Sequence, residues 1–278
     1  MIFKRISQLA TAGLCALALG CSSNETKTAP QPPQKPLPES IQAAISSPFR
    51  TSANLGRDVY RHPVETLTFF GLQPNMTVVE VSPGGGWYTE ILAPLLAKNG
   101  HFIAAYPHGN STESDNNWKK LNDWVAANPP MPATVTFSNF SPEDKGDIAP
   151  AESADMVLTF RNVHNWMMKH TENEAFASFY RALKHGGTLG VVEHRAKAKG
   201  KEKPESGYLS EKKVIALAKK AGFKLVSQSE INANPKDTKN YPQGVWTLPP
   251  SYKLGDKDHD KYAAIGESDR MTLKFTKP

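Results

Sequence analysis

From Thr77 onward the chain alternates short β-rich runs with helical patterns, and this alternation restricts its architecture more than any other feature. The β-rich runs are TVVEV (77–81), HFIAAY (101–106), ATVTF (133–137), DMVLTF (155–160), TLGVVEH (188–194), FKLVSQSE (223–230) and RMTLKF (270–275). Helical patterns fall at about 88–98, 114–127, 172–184 and 210–221. In the fourth, Ser210 suits the N-cap and Gly222 a left-handed C-cap position. The stretch LKHGGTL (183–189) is expected to end the third helix in the same way and to launch the next strand. Seven strands with helices between the first five make a doubly wound α/β domain, its sheet mainly parallel and covered on both faces.

The first strand runs into a glycine loop and then a helix, VEVSPGGGWYTEIL (79–92). In doubly wound sheets, ligands bind at the carboxyl ends of the strands, which is where this loop falls. A phosphate-binding P-loop needs a lysine and a hydroxyl after its glycines, and neither follows here. The dinucleotide fingerprint needs a small residue where Thr89 stands, and Pro83 has no N–H to offer a pyrophosphate. A cofactor that needs only an acid, a turn and a close backbone suits the loop better.

Glu80 followed by Gly84 and Gly86 resembles the first motif of the class I S-adenosylmethionine-dependent methyltransferases. LKHGGTLGVVEH resembles that family's glycine turn into its fifth strand, with His185 in place of a proline, and ADMVLTFRNVHNW resembles its fourth strand and the loop after it. RNV in particular resembles the quinone C-methyltransferases. The likeness covers about residues 55–275 and is strongest to bacterial predicted methyltransferases with lipoprotein-like starts and the same GESDRMTLKF ending. It implies a seven-stranded sheet with the last strand antiparallel, and S-adenosylmethionine as cofactor. The cofactor residues it implies are Glu80, Ser82, Gly84, Gly86, Tyr106, Asn139, Phe140 and Asn162. Three of these depart from the family pattern. Ser82 replaces its usual first glycine, Tyr106 stands where an acid takes the ribose hydroxyls, and Asn139 stands where an aspartate faces the adenine.

Methyl transfer is an in-line displacement, so catalysis consists of positioning and of removing the acceptor's proton. His164, on the loop after the fourth strand, is the candidate base, with His194 as a second candidate. By resemblance, Arg161 and Asn162 orient the acceptor or the cofactor's carboxylate. Trp87, Tyr88 and Trp166 lie on the two loops that would flank a sulfonium, either as its walls or as packing residues. The segment RDVYRHPVET (57–66) reads as a surface helix with paired charges, and Arg57 and Arg61 are alternative contacts for the cofactor's carboxylate. No metal is expected, because the histidines lack a recognised ligand spacing and DKDHD (256–260) lacks the glycine-centred calcium pattern.

The start of the chain bears on location. Lys4 and Arg5 precede an apolar stretch that is too short to cross a bilayer and that ends in LALGC, resembling a bacterial lipobox. A plain secretory peptide or a buried apolar helix would also fit the stretch. The lipobox reading gives a signal peptide over 1–20, lipid on Cys21, a proline-rich tether over 21–39 and one domain over 40–278, held at the cell envelope by a lipid anchor in the membrane. Cleavage would remove Lys4, Arg5 and Cys15, lower the formal charge of +6 by two, and leave no thiol pair for a disulfide. So mild a basic excess excludes a nucleic-acid footprint. Two function classes fit: methyl transfer to a small or lipid-like acceptor, and a non-catalytic envelope domain built on the same scaffold.

Overall fold

A computed structural model describes residues 35–107, 112–198 and 203–278. The expected signal peptide, Cys21 and most of the tether lie outside the described residues. The strands are β1 (Thr77–Val81), β2 (His101–Tyr106), β3 (Val135–Asn139), β4 (Ala154–Phe160), β5 (Leu183–His194), β6 (Lys224–Ser229) and β7 (Arg270–Thr276). They form one seven-stranded sheet in the order β3-β2-β1-β4-β5-β7-β6. Strands β1 to β5 pair in parallel, and β7 runs antiparallel between β5 and β6.

The helices are α1 (Ile41–Ile45), α2 (Ser52–Leu55), α3 (Asp58–Arg61), α4 (Pro63–Phe70), α5 (Thr89–Leu96), α6 (Thr112–Ala127), α7 (Met131–Thr134), α8 (Val163–Met168), α9 (Glu172–Ala182), α10 (Glu211–Lys220) and α11 (His259–Ile265). No described helix is long and apolar enough to cross a membrane. Because a parallel sheet is buried on both faces, it divides the core in two. Val79, Val81, Val157 and Val191 pack with α8, α9 and α10 on one face. Val78, Leu158 and Val192 pack with α1, α4 and α5 on the other. Leu37, within the span read as tether, packs against this second cluster.

Three local differences from the sequence reading have physical causes. The expected third strand began at Ala133, but Met131–Thr134 makes a helical turn and β3 starts at Val135. Its last residues, Ser138 and Asn139, pair with Ala105 and Tyr106. LKHGGTL is not a glycine cap. Helix α9 ends at Ala182, Leu183 is already extended, and Gly186, with φ of 77°, sits in an irregular part of β5 where its N–H bonds Lys277 O at 2.8 Å. The helices before β1 also carry more of the core than the sequence suggested: α4 buries Leu67 and Phe70 against the sheet. At the fourth helical pattern the reading matches, since Ser210 Oγ accepts from Lys213 N and Gly222 follows the last turn.

Gly190 in β5 makes the α4 contact possible. A Cβ there would stand 2.7 Å from Leu158 Cδ2 and 2.9 Å from the Phe70 ring. Gly190→Ala should therefore overpack this seam and cost about 1–3 kcal/mol of stability. Urea unfolding checks this, and an unchanged midpoint would show that the seam has slack.

Candidate functional site

The carboxyl ends of β1 to β4 surround a cavity of about 550 Å³, within the usual range for a small-molecule site. Ser82 and Gly84 line it from the glycine loop, Tyr106 from β2, and Asn162 and Trp166 from the segment after β4. A second groove of about 630 Å³ is lined by Arg181 and Lys220 on the outside of α9 and α10, away from the strand ends.

The loop takes its shape from three left-handed residues: Ser82 (φ 51°), Gly84 (φ 60°) and Gly86 (φ 81°). Ser82 thus occupies backbone space that glycine favours, which accounts for the glycine usual there. Its N–H is held by Ala105 O at 2.8 Å. The two glycines do different work. A Cβ at Gly84 would meet nothing within 4 Å, so the loop there borders open space, whereas one at Gly86 would stand 2.9 Å from Leu121 Cδ1. Gly86 therefore serves helix packing and does not line the cavity. Asn162 acts as a clamp: its Nδ2 donates to Val81 O at 3.0 Å, Thr159 Oγ1 at 3.1 Å and Ser82 O at 3.4 Å.

Several expected cofactor residues lie elsewhere. Phe140 is fully buried, its ring 6.3 Å from that of Phe179, and does not reach the cavity. Asn139 is exposed beside Tyr106, and the residues after β3 that line the cavity are Ser141, Pro142 and Glu143. Glu80 points into the α4–α5 face, where its Oε2 accepts from Thr89 Oγ1 at 2.6 Å at the start of α5. Of the three aromatics, only Trp166 lines the cavity. Tyr88 stacks on Phe160 at 3.5 Å, and Trp87 has the guanidinium carbons of Arg50 and Arg61 at 4.9 and 4.7 Å from its ring.

His164 and Glu193 come together on the other side of β4. His164 Nδ1 lies 3.1 Å from Glu193 Oε1, and the same carboxylate accepts the backbone N–H groups of His164 at 3.3 Å and His194 at 2.8 Å. Glu193 is wholly buried, so an Nδ1–H tautomer of His164 satisfies it, and that tautomer leaves Nε2 as a free acceptor. His194 Nδ1 meets Ser268 Oγ at 2.5 Å. Burial first, then the charges of His164, Arg270, Arg161 and Arg61, hold the His194 pKa well below the ordinary histidine value, so the ring stays neutral.

His164, Glu193 and His194 bring their possible ligand atoms within 4.8 Å of one another. The arginines that depress His194 oppose a cation at this point as well. These arginines correct the reading of residues 57–66 as a surface helix: Arg61 is 3% exposed. Together with Arg57 and Arg270 it surrounds the buried Glu267, a residue the sequence reading gave no role. Arg57 Nε lies 2.7 Å from Glu267 Oε1, while Arg270 Nη2 at 2.5 Å and Arg61 Nε at 3.4 Å share Oε2. The signal lay in GESDR (266–270), which puts an acid and an arginine three residues apart at the start of the last strand.

No family model matches the sequence, and no curated protein does. Solved structures do match the fold. A SAM-dependent methyltransferase from Aquifex aeolicus superposes with a TM-score of 0.54 at 17% identity, over 80% of this chain and 93% of that one. The (4+2)-cyclase SpnF does so with a TM-score of 0.57 at 16% identity, over 88% and 98%. A SAM-dependent methyltransferase from Methanosarcina mazei gives 0.50 at 12% identity, over 76% and 96%. The chain has the class I methyltransferase fold. At these identities the likeness establishes the fold, and the chemistry must be argued from the site.

Glu80 offers a test of the site's electrostatics. Burial raises its carboxyl to about 7, against the Thr89 hydrogen bond and the charges of Arg161 and Arg61. A carboxyl raised in the folded state binds its proton more tightly there, so its contribution is complete below the ordinary 4.5 and is lost as pH rises through about 7. Glu80→Gln, which keeps an acceptor for Thr89, should remove that loss. Between pH 5 and pH 8 the wild type should lose about 1–3 kcal/mol relative to the variant in paired urea titrations. Parallel pH profiles would show that Glu80 is ionised throughout.

Proposed function

We propose that this protein is an S-adenosylmethionine-dependent methyltransferase that acts on a small or lipid-like acceptor. The observation that carries this reading is the cavity at the ends of β1 to β4, with Gly84 open to it and with His164, buried and oriented by Glu193, on the same helix as the lining residues Asn165 and Trp166. The residues present fit such a cofactor: Gly84 and Ser82 would lie against its methionine part, Tyr106 beside its ribose, and Trp166 along the wall. When bound, it supplies an electrophilic methyl group on a positively charged sulfur. His164 Nε2 would take the acceptor's proton as the acceptor is methylated. Glu193 is a positioning residue that holds the imidazole in the tautomer this needs. Tyr106 lacks a carboxylate's two charged acceptors, so ribose recognition is weak by the standards of the fold, and binding on the order of tens of micromolar is expected.

The lipid-like acceptor has support at the surface. Helices α2 and α3 expose Leu55, Val59 and Tyr60 at 42, 67 and 37%. The proposed location is the bacterial cell envelope, with lipid on Cys21 as the anchor. If Cys21→Ser still fractionates with membranes in high salt, the anchor is excluded.

The cofactor reading is tested at Gly84. A valine there would fill the cavity edge at a φ of 60° that branched side chains resist. Calorimetric titration with S-adenosylhomocysteine should show binding by the wild type and none by Gly84→Val, with the far-ultraviolet circular dichroism unchanged. Equal affinities would reduce the loop to a turn.

A further inference from the structure

Four guanidiniums, those of Arg57, Arg61, Arg161 and Arg270, gather about the one carboxylate of Glu267 between the carboxyl end of β4 and the start of β7. Three of them make its ion pairs. Arg161 makes no ion pair or side-chain hydrogen bond among the described residues, although its backbone takes the left-handed φ of 63°. Arg61 is buried, and its Nη1 has no hydrogen-bond partner. Glu80 lies in the same field, but burial leaves it only partly ionised near neutral pH. Arg61 and Arg270 are buried, while Arg57 and Arg161 are half-buried. So many cations against one fully ionised carboxylate are costly, and a site that keeps them is matched to a negative ligand. We propose that Arg61, Arg161 and Arg270 bind an oxyanion of the acceptor substrate, a carboxylate or a phosphate.

The term acceptor rests on the methyl-transfer reading; the anion site itself does not. Its place in the sheet separates it from the cofactor cavity. The cavity lies over β1, β2, β3 and the near side of β4, whereas the arginines run from the end of β4 to the start of β7, with Arg61 of α3 reaching back to Trp87. Arg270 is three strands from β1, about 14 Å at the usual strand spacing. His194, paired in register with Arg270, is among the neutral groups facing this space, and His164 lies beside it with ring centroids 5.4 Å apart. An oxyanion held by the arginines would thus bring the rest of its molecule past the proposed base. The same positive charges oppose a metal ion at the two histidines.

Arg161→Gln is the test variant, because it removes a cation that makes no ion pair and so should leave the fold intact. Thermal unfolding of the full chain would be followed in sodium phosphate and in sodium acetate, each against sodium chloride of equal ionic strength. The wild type should be stabilised by one of the two beyond chloride, and which one distinguishes phosphate from carboxylate recognition. Arg161→Gln should lose that stabilisation, be no less stable than the wild type in chloride, and bind S-adenosylhomocysteine within about threefold of it, a difference of roughly 0.6 kcal/mol. Wild type with no anion-specific response, or a variant that keeps the response, would overturn the proposal. So would a tenfold or greater loss of S-adenosylhomocysteine affinity in the variant, which would make the cluster a socket for the cofactor's own carboxylate. If neither protein bound S-adenosylhomocysteine while only the wild type answered to the anion, the anion site would stand and the methyl-transfer reading would fall.

Discussion

The carboxylate of Glu267 holds the two ends of the domain together. It receives Arg57 and Arg61 from α3 and the residue before it, and Arg270 from the last strand, across about two hundred residues of sequence. Those charges outweigh the effect of burial and keep its pKa at about 2, so the pair network persists over the whole neutral range. Arg61 continues the chain of contacts to Trp87, whose indole N–H donates to Asn54 O at 2.9 Å and whose ring also meets Arg50. The residues immediately after the glycine loop are thereby fixed to α2 and α3. Without the carboxylate, the helices that cover the site would bring two arginines against a third with nothing to offset them.

Strand alternation then sorts the chemistry at the end of β5. Successive residues in a strand face opposite sides of the sheet. Glu193 turns toward α8 and fixes His164 through two hydrogen bonds, to its backbone N–H and its Nδ1, while His194 turns toward β7 and Ser268. One dipeptide therefore supplies the orienting carboxylate on one face and a neutral imidazole on the face that holds the arginines. A positive charge on His194 would add to an already positive field, and burial and the neighbouring cations suppress its protonation.

The sheet was legible in the sequence because each of its strands is a local pattern of β-rich residues, and the glycine loop was legible because backbone conformation limits which residues can occupy it. Ser82 looked like a departure from the family and proved to be a non-glycine residue in a left-handed turn. The third strand was misplaced because ATVTF looks extended throughout, whereas Met131–Thr134 closes a helical turn after Pro130. The resemblance gives Phe140 a cofactor role by position alone, and its burial against Phe179 is a tertiary fact. The arginine cluster was the least legible feature. Its members come from α3 and its approach, the end of β4 and the start of β7, and no periodicity links residues 57, 61, 161, 267 and 270. Only the strand order brings them together.

The class I fold carries proteins named for methyl transfer and one named for cyclisation, so the contents of the strand ends must decide the chemistry here. Those contents are a neutral His194, the Glu193-oriented His164 beside it, and cations that exceed their carboxylate partners. Four guanidiniums raise the energy of any further cation brought to the end of β4. On the proposed reading this favours the reaction in a direct way, since a sulfonium sheds its positive charge as its methyl group leaves. An anionic acceptor seated among the arginines would offset their field at the moment both substrates are present, and would draw the sulfonium toward the same point. The repulsion that Glu267 leaves uncompensated within the cluster would then be relieved in the complex that reacts.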